Sequence, residues 1–323
     1  IKIPSIRVNA VIRSVGLGAT RRGWECYGIR EGYNGILFHE RYPEGGVFRL
    51  TPEKVRGIGH LGGTILGTTN KGNPLQFPMK MPDGTINEVD RTDEILEFFA
   101  KQELDALVSV GGDGSLTIAN ALHQKGLRVI GVPKTIDNDL DKTFTTFGFD
   151  TAVDFAAACL DRLHSTAESH QRVMVVEVMG RYAGWIALHA GIAGGAHAVL
   201  IPEIPFDLDQ VVAKILRRDS LGRMYSIVVG AEGAEPAGGH REILEAAEIG
   251  HAERLGGIGE RIARALQERK DKDARVVVLG HLLRGGSPTS FDRIAAMRFG
   301  TAAVRGLAEG RSGVMVALAF PNV

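Results

Sequence analysis

Asp137 and Asp139 lie two residues apart in Thr135-Ile136-Asp137-Asn138-Asp139, just beyond the apolar run Arg128-Val129-Ile130-Gly131-Val132. One carboxylate of such a pair can take a proton from an attacking hydroxyl while the other positions groups or a metal. Lys134, beside them, adds a cation able to meet a phosphate or pair with an Asp. The plainer reading is an Asx-rich turn that caps its own backbone. Lys, Thr and two Asp together after a buried run favour the chemical reading. A second cluster, Gly111-Gly112-Asp113-Gly114-Ser115, follows Ala106-Leu107-Val108-Ser109-Val110 and opens a helical pattern. Glycines let a backbone approach a phosphate chain, and a helix start offers free N–H groups and a positive dipole end. Asp113 could hold Mg²⁺ directly or through water, or could simply be the N-cap of a βα turn. Arg172, Arg181, Arg275 and Arg284 flank strand-like runs, and His281 joins them. Arginine forks suit a phosphorylated substrate, whereas a lone surface arginine contributes little.

These residues need a frame. Runs rich in β-branched residues recur at 106–110, 128–132, 173–178, 226–229 and 275–279. Helical patterns lie at 92–101, 116–124, 151–164, 208–218 and 255–269. Repeated β–α order predicts a parallel sheet with crossover helices. The polar residues follow strand ends, where open α/β sheets bind ligands. Gly233–Gly239 reads as an exposed loop, and Lys270-Asp271-Lys272-Asp273 as a solvated helix end.

At 323 residues the chain suggests two domains. Apolar residues make up 44%, enough for sizeable cores. Lys plus Arg equals Asp plus Glu, 38 each, which argues against non-specific nucleic-acid binding. Two cysteines, Cys26 and Cys159, cannot form a disulfide framework and fit a reducing, cytoplasmic setting. No apolar run of membrane-spanning length occurs, so no membrane partner is expected. Gly16-Leu17-Gly18 lacks the third glycine of a dinucleotide fingerprint, and the histidines show no zinc spacing.

With these motifs in place, the chain resembles the bacterial-type 6-phosphofructokinases. The resemblance runs from Asn9 to about Leu318. Besides the two clusters above it rests on Leu61-Gly62-Gly63-Thr64-Ile65-Leu66-Gly67, Ser169-His170-Gln171-Arg172, Met179-Gly180-Arg181-Tyr182-Ala183-Gly184 and the stretch from Gly280 to Pro288. It implies an α/β fold of two Rossmann-like parallel-sheet domains with the active site in the cleft between them. Residues 1–148 plus 283–323 would bind the nucleotide donor, and residues 149–282 fructose 6-phosphate. ATP would be co-substrate and Mg²⁺ the metal. By resemblance Asp137 is the base for the sugar 1-hydroxyl, Thr135 and Asp139 support it, and Arg181 stabilises the transferring phosphoryl group. Asp113 matches the Mg²⁺ contact, and Gly112, Gly114 and Ser115 the donor phosphate loop. Asn70, Lys71 and Lys134 fall at further donor positions. Met179, Gly180 and Glu232 match sugar contacts, and His281 and Arg284 the 6-phosphate grip. Arg172 and Arg275 match arginines that reach a neighbouring subunit's site, implying a homo-oligomer, a tetramer or dimer.

Departures bear on the donor. An Asp at the position of Gly114 accompanies pyrophosphate use in the family, so Gly114 favours ATP. Lys134 occurs with pyrophosphate and with some ATP enzymes. Ile3-Pro4-Ser5-Ile6-Arg7-Val8 stands where the family has Gly-Gly-Asp-x-x-Gly, and the family pattern continues past Val323. His164 and His197 fall at the family's effector positions, so that type of control is not expected. A pyrophosphate-dependent enzyme and a non-catalytic sugar-phosphate or nucleotide sensor remain the alternatives.

Overall fold

The computed structural model of the chain describes residues 8–69, 72–241, 243–245, 254–270 and 272–319. Its framework is two parallel sheets. In the first, Ala106–Gly111, Arg128–Thr135 and Val314–Met315 lie side by side, and Phe147–Gly148 pairs with the end of Arg128–Thr135. In the second, the order is Ala274–Val278, Val173–Val178, Ser226–Ala231, Ala198–Leu200. The central strands Val173–Val178 and Ser226–Ala231 are buried throughout, as strands covered by helices on both faces must be. Glu177, alone in that apolar run, accepts the N–H groups of Gly257 and Gly259. Its carboxylate thereby serves the start of the helix Ile258–Lys270.

The five expected strands and five expected helices are present, the strand at 128–132 running on to Thr135. Two helices without an obvious sequence signal, Asn9–Thr20 and Ser290–Ala308, pack against each other beside the first sheet. Glycines hide them, because a helical glycine reads as a breaker. Here glycine permits contact: a Cβ on Gly300 would collide with Ser14 Oγ.

Two sequence expectations are corrected. Gly233, Ala234 and Pro236 are buried rather than exposed, because Phe206 exchanges backbone hydrogen bonds with Glu235 and Ala237. Lys272, just past Ile258–Lys270, is not left to solvent: it pairs with Asp219 at 2.8 Å, both largely buried.

A cavity of about 900 Å³ runs beside Ala106–Gly111, among apolar residues such as Ile12, Val15, Leu50 and Leu66. It touches Ser115 and none of the other proposed site residues. Among the described residues no helix is long and apolar enough to cross a membrane.

Candidate active site

Two strand tips build the first half of the site. The register Gly111↔Pro133 sets them side by side, and a Cβ on Gly112 would lie 3.6 Å from the Lys134 carbonyl. The helix Asp113–Gln124 starts immediately, with Gly112 at its N-cap. Asp113 is therefore not the N-cap; it sits in the first turn, exposed, as does Gly114. Gly111 has to be glycine, since any Cβ there would collide with Ser115 Oγ. Ser115 is 2% exposed, and its Oγ has no hydrogen-bond partner among the described residues. A Cβ added to Gly114 would meet nothing within 4 Å, so that side of the helix start is open.

At the neighbouring tip the Asx-turn and chemical readings are divided between residues. Asn138 does the capping: left-handed at φ 53°, its Oδ1 accepts the Thr146 N–H at 2.8 Å. Thr146 Oγ1 in turn donates to the Thr135 carbonyl at 2.9 Å. Asp137 is thus released from turn duty. Its own N–H donates to Thr135 Oγ1 at 3.0 Å, and its Oδ1 is buried without a hydrogen bond. Asp139 is exposed, and Lys134 is wholly enclosed at 0% exposure.

The second sheet supplies the other half. After Val173–Val178 come Met179 and Gly180, both buried. Gly180, at φ 146°, accepts the Gly233 N–H, while Glu232 donates its N–H to Val178. A Cβ on Gly233 would collide with the Arg181 carbonyl, so the two loops are in contact. The turn Gly280–Arg284 is pinned by Leu283, fully buried in the core. It leaves His281 exposed and Arg284 with a buried, unpartnered Nη1.

Charge joins the halves. Burial pushes the Asp137 carboxyl up and Asp139 adds to this, against Arg284, Lys134 and Arg181. Burial also raises Glu232, reinforced by Asp137 and opposed by the Gly180 amide, Arg181 and Arg284. Burial lowers Arg284 while Asp137 and Glu232 hold it charged. Asp137, Glu232, Arg181 and Arg284 therefore form one electrostatic cluster.

Arg172 and Arg275 are not in it. Both sit at the other ends of their strands, sharing Asp273 as ion-pair partner. Val173–Val178 alone separates the two ends by about 16 Å, at ~3.3 Å per residue. Asn70 and Lys71 lie outside the described residues, as does the segment 1–7. Among the described residues no three acidic, His or Cys groups gather into a metal cage. The site suits an ion carried mainly by donor phosphates and water, as Mg²⁺ is, with the exposed Asp113 as protein contact. His164 and His197 pack edge-on with Tyr225, and burial takes His197 down to about 4, so its ring is neutral there. The sequence reading missed Thr146 as the brace of the Asp137 loop; the only available signal was a short Thr-Phe-Thr-Thr tract.

The fold and this cluster define an α/β protein of two parallel sheets that share an acid–arginine site. The phosphofructokinase family profile matches residues 4–307. The chain is 50% identical over 311 residues to the ATP-dependent 6-phosphofructokinase of Chloroflexus aurantiacus, covering 96% of this chain and 83% of the relative. It is 48% identical over 314 residues to the pyrophosphate--fructose 6-phosphate 1-phosphotransferase of Amycolatopsis mediterranei, covering 96% and 86%. Among solved structures, phosphofructokinase from Saccharomyces cerevisiae matches with TM-score 0.78 at 30% identity, over 94% of this chain and 40% of that longer one. The pyrophosphate-dependent enzyme of Marinobacter aquaeolei, at 21% identity and TM-score 0.80 over 98% and 76%, shares the fold. The chain belongs to the phosphofructokinase family.

Proposed function

We propose that the chain transfers the γ-phosphoryl group of ATP to the 1-hydroxyl of fructose 6-phosphate, giving fructose 1,6-bisphosphate. The carrying observation is the buried, unbonded Asp137 Oδ1, held between the glycine turn of one sheet and Arg181 and Arg284 of the other. We assign donor binding to residues 1–148 plus 283–323 and sugar binding to 149–282, with Arg284, at the boundary after the turn Gly280–Arg284, contributing to the sugar side.

Phosphoryl transfer depends on positioning and charge neutralisation. Gly112, Gly114 and Ser115 receive donor phosphates at the helix start, where free N–H groups and the unpartnered Ser115 hydroxyl meet them. Asp113 and the donor would hold Mg²⁺, which would supply positive charge to the phosphate oxygens. Asp137 accepts the proton of the attacking hydroxyl, and burial suits it to that task by raising its affinity for a proton. Thr135 fixes the Asp137 backbone, and Asp139 strengthens the base by like charge. Lys134 tempers that effect from inside the protein. Arg181 neutralises the transferring group. Met179, Gly180 and Glu232 face the sugar, and Arg284 with His281 holds its 6-phosphate. We place Arg172 and Arg275 in the sugar site of a second copy, as their position away from their own cluster suits.

Gly114 supports ATP, because the open space beside it admits the larger donor. Lys134 keeps pyrophosphate as the second reading. The test is fructose 1,6-bisphosphate formation by purified protein with each donor. Turnover with pyrophosphate alone would transfer the reading to that donor, and ligand binding without turnover to a sensor.

A further inference from the structure

Two segments cross between the sheets, 146–151 and 284–290. The first leads from Phe147–Gly148 into the helix Phe149–His170, which packs on the second sheet. The second leads from the turn Gly280–Arg284 into Ser290–Ala308, which packs on the first. They are tied together by a side chain outside the cluster described above. Asp292 is 1% exposed. Its Oδ2 accepts the Thr151 N–H at 2.9 Å and the Thr151 hydroxyl as well. Thr289 donates its N–H to Thr151 Oγ1 at 3.0 Å and its hydroxyl to Asp150 Oδ2 at 2.5 Å.

Thr151 lies in the first turn of Phe149–His170, where N–H groups lack helical partners. The residue capping that helix is Gly148, which has no side chain to offer. Asp292 therefore supplies the missing acceptor from a different helix, and an anion is favoured at that end. Each crossover also carries part of the site. Thr146 braces the Asp137 loop, and Arg284 stands five residues before Thr289. Relative movement of the two crossovers would change the spacing of Asp137 and Arg284.

We propose that Asp292 is a positioning residue: through Thr151 and Thr289 it clasps the two crossovers and so fixes Asp137 against Arg284. The consequence for turnover rests on the function proposed above; the clasp itself does not. One oxygen, Oδ2, makes both bonds to Thr151, so an amide oxygen can substitute for it there.

The experiment compares wild type with Asp292→Asn, Asp292→Ala and the milder Thr151→Val, by hydrogen exchange and by steady-state kinetics. In Asp292→Ala and, more weakly, Thr151→Val, peptides covering 136–146 and 284–290 should both exchange faster, while Val173–Val178 stays protected. The KM for fructose 6-phosphate should rise about tenfold or more, beyond any change in KM for ATP. Asp292→Asn should restore both. Arg284→Lys combined with Asp292→Ala should lose less than the product of the two single losses. Faster exchange confined to 149–152, or a strictly multiplicative double variant, would overturn the clasp. A wild type without turnover would instead count against the proposed function, and the exchange measurement would still decide the clasp.

Discussion

Asp137 and Arg284 come from different sheets, yet each acts on the other's charge: burial dominates both, but the guanidinium opposes the rise of the carboxyl, and the carboxylate opposes the lowering of the guanidinium. Each also leaves one buried atom, Oδ1 or Nη1, without a hydrogen bond. Buried polar atoms are normally paired; on the function proposed above, a polar substrate would complete the bonding of these two.

The pH dependence follows from direction alone. Asp137 and Glu232 bind a proton more tightly folded than unfolded. Between the unfolded and folded values the native state holds more protons, so their contribution to stability falls as pH rises. Activity runs the opposite way, because the base must be ionised. kcat/KM should fall on the acid side at a pH above the ordinary carboxylate range, about 4. Urea unfolding across pH should show Asp137→Asn with a shallower loss of stability than wild type over that same window, and higher stability at neutral pH. A variant less stable than wild type at neutral pH would contradict this.

Gly114→Asp places a side chain in open space at a helix start, where an acidic group is tolerated. The melting temperature should hold within a few degrees. kcat/KM for ATP should drop about ten- to a hundredfold, equivalent to ~1.4–2.8 kcal/mol, with less effect on the sugar. An unaltered KM for ATP would remove the steric argument for the donor.

The sequence made the central sheets legible because their strands are apolar on both faces and end in chemistry-bearing loops. Asp113, Asp137, Arg181, Glu232 and Arg284 could be named for the same reason. Ala198–Leu200 and Phe147–Gly148 are too short to show a period, and their pairing is decided by neighbours. Asn138 and Asp137 look interchangeable in a string; only the bond to Thr146 shows which one caps the turn. Asp292 was invisible because its partner, Thr151, lies far along the chain.

The placement of Arg172 and Arg275 can be checked by mixing. Arg172→Ala and Asp137→Asn should each be poorly active alone. Exchanged into mixed oligomers, they should regain activity, because one copy's Asp137 then meets the other's Arg172. No recovery in verified hetero-oligomers would place Arg172 outside the partner's site.

The most direct measurement is the turnover of Asp137→Asn with saturating ATP and fructose 6-phosphate beside that of wild type. Wild type should form fructose 1,6-bisphosphate, and the variant should do so about 10²–10⁴-fold more slowly with its KM for the sugar little changed. A variant that matches wild type in kcat would show that Asp137 is not the base on which the site is built.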